Sequence, residues 1–228
     1  MSPGFGIVAS SKQVAAGGPT VSVIESVARP FTSSGSDTVS ITTTLLTTDR
    51  VVIIVQKGTL TGTPSASGLG GTWNTDLFST AAVDYYIFST SGVTGTGTVT
   101  VSGLSTAPAA VTGLVLRASN GAAVVFLNGN MNSGAVAAAG TLATSSASNT
   151  AGALLIGSCR SDSGTLTFPD ASSTPNSGFT TVRNTFDATS SDTKIVITQT
   201  LASTTTVQLA GSPSAVTSLV VVRAAYYV

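Results

Sequence analysis

Residues 110–119 read AVTGLVLRAS, and residues 215–224 read AVTSLVVVRA. A chain that writes one apolar, β-branched run twice is constrained first of all to a duplicated unit. Val111 aligns with Val216, an offset of 105 (111 to 216). TVTVSG (98–103) aligns with TVQLAG (206–211) at an offset of 108, and GGTW ending at Trp73 with NSGF ending at Phe179 at 106. VSITTTLLTTDRVVII (39–54) aligns with TLATSSASNTAGALLI (141–156) at 102. The order of segments is kept while the offset drifts, as loop insertions make it drift. The expected organisation is an extended arm at 1–19, a first domain at 20–120 and its duplicate at 121–228.

Each copy reads as short strands divided by turn chemistry. The first copy offers TVSVIESVARPF, DTVSITT, RVVIIVQ, SASGL, VDYYIFST, TGTVTVS and VTGLVLRAS, with turns at SSGS, TTD, SGLGG, TSGVTG and STAPA. In TVTVS, Val99 and Val101 share one face and the threonines the other, the pattern of a half-buried antiparallel strand. VVIIV and LVVV are continuous, which marks strands covered on both faces. No amphipathic helix interrupts them. The fold class is all-β: two tandem immunoglobulin-like or jelly-roll-like antiparallel β-sandwiches with an extended N-terminal arm. Asn120-Gly121 reads as a turn and AAVVFL as the first strand of the second copy. So short a connection sets the sandwiches in a fixed, end-to-end relation.

Composition narrows the function. Charged residues are 8% of the chain, nine bases against nine acids, while hydrophobic residues reach 42%. The bases are scattered singly, so no stripe is available to neutralise phosphates, and nucleic acid is not an expected partner. The N-terminal segment has neither a basic region nor a continuous apolar one, and no run has the length of a membrane span. Neither a signal peptide nor membrane insertion is expected. The arm carries four glycines and two prolines with scattered Phe5, Ile7, Val8 and Val14, candidates for assembly contacts with a neighbouring subunit.

Catalytic chemistry is sparse. The chain has no histidine, one cysteine and one glutamate, Glu25. Ser-His-Asp and Cys-His arrangements are therefore excluded, and no nucleophile elbow, P-loop or cysteine cluster occurs. Asp162 and Asp170 flank SGTLTFP, and Asp187 and Asp192 flank ATSS; both pairs read as turn-formers. Loops such as SDSG offer oxygens without the alternating acids of a calcium cage. No enzyme, metal or cofactor is expected, and Cys159 reads as a small buried hydrophobe. The aromatics leave two readings open. Trp73 and Phe179 either plug the rim of a core or, for Trp73, stack on a sugar ring. Tyr85-Tyr86 and Tyr226-Tyr227 are adjacent on strands, so one of each pair is a candidate surface or ligand contact.

The module VVIIV, GTPSASGLGGTW (62–73), DYYIF, GTVTVSG (97–103) and AVTGLVLRAS (110–119) resembles the β-sandwich modules of tailed phages of actinobacteria. The second copy keeps TTVQLAG and AVTSLVVVRA, replaces the Trp with Phe179 and lacks GTPS. The resemblance implies a non-enzymatic virion structural protein, assembled in the host cytoplasm and touching other virion proteins and its own copies. It favours a minor tail protein, with capsid decoration next. A carbohydrate-binding module for host-surface glycans is the alternative from another class. A cell-surface adhesin is a third, which the missing signal peptide disfavours.

Overall fold

The computed structural model describes residues 18–30, 34–57, 63–79, 85–104, 109–187 and 192–228, and among them the chain is all-β, without a helix. In the first half the strands are β1 (Val21–Ala28), β2 (Ser36–Leu45), β3 (Arg50–Lys57), β4 (Ser65–Gly68), β5 (Asn74–Ser79), β6 (Tyr85–Ser91), β7 (Gly95–Ser102) and β8 (Ala109–Ala118). They form an antiparallel five-stranded sheet, β1-β8-β3-β6-β5, and a three-stranded one, β2-β7-β4. The second half has β9 (Val125–Val136), β10 (Leu142–Ala143), β11 (Ala147–Asn149), β12 (Leu154–Ser161) and β13 (Leu166–Thr167). It continues with β14 (Thr180–Asp187), β15 (Asp192–Thr200), β16 (Thr205–Val207), β17 (Ala210–Pro213) and β18 (Thr217–Tyr227). Its large sheet runs β9-β18-β12-β15-β14, the order of the first sheet strand for strand. Its other layer is broken into short ladders, β10-β17-β13 and β11-β16.

The seven strands read from the first copy each coincide with a strand of the structure, but β5, NTDLFS, was not among them. It is polar, four of its six residues being Asn, Thr, Asp and Ser, so it carries no apolar run to find. The first strand of the second copy also starts later than AAVVFL suggests, at Val125, and runs on through NGNMNSGAV.

Three cores organise these layers. Val39, Ile41, Val51, Ile53, Val55, Val99, Val101 and Val111 close the first half's two sheets on each other. Leu155, Cys159, Val207, Leu209, Leu219 and Val221 do the same in the second half. The third core is shared: Val52, Ile54, Ile87, Leu114 and Leu116 of one large sheet pack with Leu154, Ile156, Val196, Val220 and Val222 of the other. The halves are therefore stacked face to face, not end to end as the short connection suggested. Strands β3, β6, β8, β12, β15 and β18 are buried on both faces for this reason, which explains their unbroken apolar runs. The two sheets are stacked with their strand orders reversed: β1 lies across from β14 and β15, and β5 from β9. Two copies of one sheet take this arrangement when they pair through the same face.

The shared core also overturns the most conspicuous sequence match. Leu114 and Leu116 face the shared core, whereas their aligned partners Leu219 and Val221 face the second half's own core. Val111 is fully buried and Val216 is 72% exposed, one residue before β18. The odd offset of 105 inverts the faces, while the even offsets of 102 and 108 keep them: Ile54 and Ile156 both face the shared core, and Val99 and Val207 both face outer cores. A strand that is apolar on both sides carries no register information, so likeness of sequence does not report which way its residues point.

All four outer strands of the large sheets carry a bulge. The register shifts between Val23 and Glu25 in β1, between Thr75 and Leu77 in β5 and between Thr181 and Arg183 in β14. In β9 it shifts opposite Ala225 and Tyr226, where Leu127 is the extra residue. The interior pairings β3–β6, β3–β8, β12–β15 and β12–β18 are unbroken. Bulges twist an edge away from further pairing, the protection that charged edge residues give in other proteins. With so few charges to spend, the chain uses backbone geometry instead.

Candidate interaction site

The tyrosine pairs do lie on opposite faces, but both faces are covered. Tyr85 and Tyr226 are fully buried in the shared core, and Tyr86 lies in the first half's core. Tyr227 is half-buried against the second half's core. Tyr85, Tyr86 and Tyr226 are thus packing groups, not the surface contacts the sequence allowed. Burial pushes the phenols of Tyr85 and Tyr226 up, and for Tyr226 the Asp76 carboxylate adds to the effect. Trp73 is half-buried against the first core and its indole N–H donates to the Gly68 carbonyl at 3.2 Å. Phe179 holds the same place against the second core. Both are rim plugs. Phe5, Ile7, Val8 and Val14 lie outside the described residues.

The candidate acids are divided among different tasks. Asp170 accepts from the Ser172 amide at 2.8 Å, the turn role expected of it. Asp162 and Asp192 instead flank Arg160, at 2.6 and 3.0 Å, and Lys194 lies 3.3 Å from Asp192. Asp187 is described at the end of β14 by its backbone alone. No group of three or more His, Cys, Asp or Glu residues that could hold a metal ion occurs among the described residues. Cys159 is fully buried, and burial raises its thiol well above the ordinary range. That suppresses the thiolate on which reactivity depends.

Where the charges go is the feature sequence reasoning missed. Arg50, Lys57, Arg160, Arg183, Lys194 and Arg223 are buried, six of the eight basic residues described. Two of them, Arg183 and Arg50, reach from one half to the other. Arg183 of β14 donates from Nε to Thr112 Oγ1 at 2.9 Å, and from Nη2 to the Val111 carbonyl at 2.9 Å and to the Arg29 carbonyl. Burial pulls its guanidinium down to about 10, still charged at neutral pH. At the other end of β3, Arg50 lies 3.5 Å from Asp76, which accepts the Tyr226 hydroxyl at 2.7 Å. The Gln56 side-chain amide donates to Ser158 Oγ and the Cys159 carbonyl, both at 3.0 Å. Charges scattered singly along a sequence are the signal that could have suggested this use.

One surface open to a partner lies at β5. Phe78 is 63% exposed, its ring stacked on Tyr86 at 6.1 Å between centroids, and Tyr86 stacks on Phe88 at 5.6 Å. Thr63, Pro64 and Thr75 complete a shallow cleft of about 330 Å³ with the rings of Phe78 and Tyr86. Its described lining is an apolar ring face bordered by threonines, a surface suited to contact. No protein-family model, curated protein or solved structure matches the chain.

Proposed function

We propose that this chain is a non-enzymatic structural protein on the exterior of a tailed-phage particle, a minor tail protein. On this reading it is two immunoglobulin-like or jelly-roll-like sandwiches in tandem with an extended arm at residues 1–19 that docks on the particle. Its partners are other virion proteins and copies of itself, and it is assembled in the host cytoplasm. The observation that carries the reading is the use of charge. Two arginines that could serve a surface or a site, Arg183 and Arg50, are instead buried and reach across the stacked halves.

Immunogold electron microscopy with antibodies to this chain tests the proposal on candidate phage particles. Label along or at the tip of the tail is the expected result. Label over the head moves the assignment to capsid decoration, and absence of label from every particle overturns the virion reading. Deleting residues 1–19 is expected to lower occupancy on particles; full occupancy refutes the docking role of the arm.

A glycan-binding module is the second reading, favoured by one observation: Phe78 presents an open ring face beside Thr63 and Thr75. A glycan array without binding above background removes it.

A further inference from the structure

We propose that Asn120, in the turn joining the two halves, is a site of spontaneous deamidation through a succinimide, and that the fold selects it over the chain's second Asn-Gly pair. The two pairs are Asn120-Gly121 and Asn128-Gly129. A glycine after an asparagine leaves its backbone nitrogen unshielded, because it carries no Cβ.

The two pairs lie in opposite settings. Asn120 and Gly121 are exposed between β8 and β9. Beyond its chain neighbours, no atom lies within 4 Å of where a Gly121 Cβ would be. Asn128 and Gly129 lie inside β9, which pairs with β18 along its length. The Asn128 amide is held at both ends: Oδ1 accepts from Arg223 Nη1 at 2.5 Å, and Nδ2 donates to Asn149 Oδ1 at 2.9 Å. A Cβ on Gly129 would lie 2.6 Å from Leu77 Cδ1 and 3.1 Å from the Arg223 carbonyl.

The turn also supplies part of the chemistry. The Ala122 amide donates to Asn120 Oδ1 at 3.1 Å. Hydroxide takes the Gly121 amide proton, and the nitrogen attacks Asn120 Cγ. Negative charge then develops on Oδ1, where the Ala122 N–H steadies it. The Cγ–Nδ2 bond breaks, Nδ2 leaves as ammonia after taking a proton from water, and the five-membered imide is closed. Water then adds to one imide carbonyl and opens the ring to aspartate or isoaspartate. For the attack, one turn bond must open, from the Gly121 amide to the Ala118 carbonyl at 3.1 Å. At Gly129 the same rotation has to break paired strand on both sides. Asn176 is exposed too, but Ser177 follows it and places a side chain beside the attacking nitrogen.

The conversion adds one negative charge to a chain whose formal net charge is zero. It falls beside Ser119, whose amide donates to the Thr20 carbonyl at 2.9 Å and whose Oγ accepts from the Thr20 amide at 3.0 Å, where the chain enters β1. The inference is independent of the virion reading.

The test incubates the full chain at mildly alkaline pH in water enriched in oxygen-18, with peptide fragmentation to place the label. Label is expected at residue 120, as aspartate and isoaspartate, with Asn128 converting at least about tenfold more slowly. In urea that unfolds the chain, residues 120 and 128 are expected to convert at similar rates. Asn120→Gln, whose longer side chain closes a ring less readily, is expected to lose the label at 120. The proposal is overturned if the folded chain takes no label at 120, if Asn128 or Asn176 converts as fast, or if unfolding leaves the preference for 120 unchanged.

Discussion

Replacing Arg183 with alanine tests whether the halves are one mechanical unit. The side chain is 3% exposed and reaches from β14 to three acceptors of the first half: Thr112 Oγ1 and the carbonyls of Val111 and Arg29. Hydrogen bonds to a charged group are worth about 1.5–3 kcal/mol each, so the gross gain from three is roughly 4.5–9 kcal/mol. Against it stands the cost of burying a guanidinium that touches no carboxylate; the burial that pulls it down to about 10 corresponds to about 3 kcal/mol. Truncation relieves that cost but leaves two carbonyls and a hydroxyl without their donor. The expected net loss is about 3 kcal/mol. The assay is urea denaturation followed by the fluorescence of Trp73, the single tryptophan, which sits in the other half. With a slope near 3 kcal/mol per molar, the midpoint is expected to fall by roughly 1 M. Thr112→Val alone is expected to cost about 1.5–3 kcal/mol, with a coupling to Arg183→Ala of similar size in the double-mutant cycle. A shift below about 0.5 kcal/mol in the Trp73 signal, or a coupling of zero, refutes the reasoning.

Three other perturbations probe different contacts. Tyr226→Phe removes the donor to the Asp76 carboxylate from the shared core and is expected to cost about 1.5–3 kcal/mol in thermal or chemical unfolding. Gly129→Val places a side chain where even a Cβ would lie 2.6 Å from Leu77 Cδ1, and is expected to destabilise by about 1–3 kcal/mol through overpacking between β5 and β9. Glu25 accepts the amides of Thr42 and Thr43 and the Thr42 hydroxyl. Burial alone would raise its pKa, but those bonds outweigh it and hold the carboxyl below 4.5. Its folded value is depressed, so its contribution is present above the unfolded pKa and lost as pH falls through the folded one. Melting temperature is expected to drop below about pH 4.5, and Glu25→Gln is expected to flatten that part of the profile.

The parts of the fold that follow from chain-local pattern were legible. TVTVS alternates because one face of β7 is solvated, and VVIIV does not because β3 is covered on both. The stacking of the halves was not legible, since a run apolar on both sides fits any partner and any register. That ambiguity is why Val111 and Val216 look equivalent and are not. β5 was hidden because an edge strand needs no apolar run, and Phe78 was hidden with it. The tyrosines were visible as aromatics, but whether the far face of a strand meets water or another sheet is decided by tertiary packing. The arginines were visible as isolated charges, and their acceptors lie tens of residues away: Arg183 and Thr112 are 71 positions apart.

The shared core is the central claim, and contacts between methyl groups measure it directly. Nuclear Overhauser effects are expected between the methyls of Val52, Ile54, Leu114 and Leu116 on one side and those of Leu154, Ile156, Val220 and Val222 on the other. Two sets of cross-peaks, each confined to its own half, would contradict the face-to-face arrangement and restore an end-to-end one.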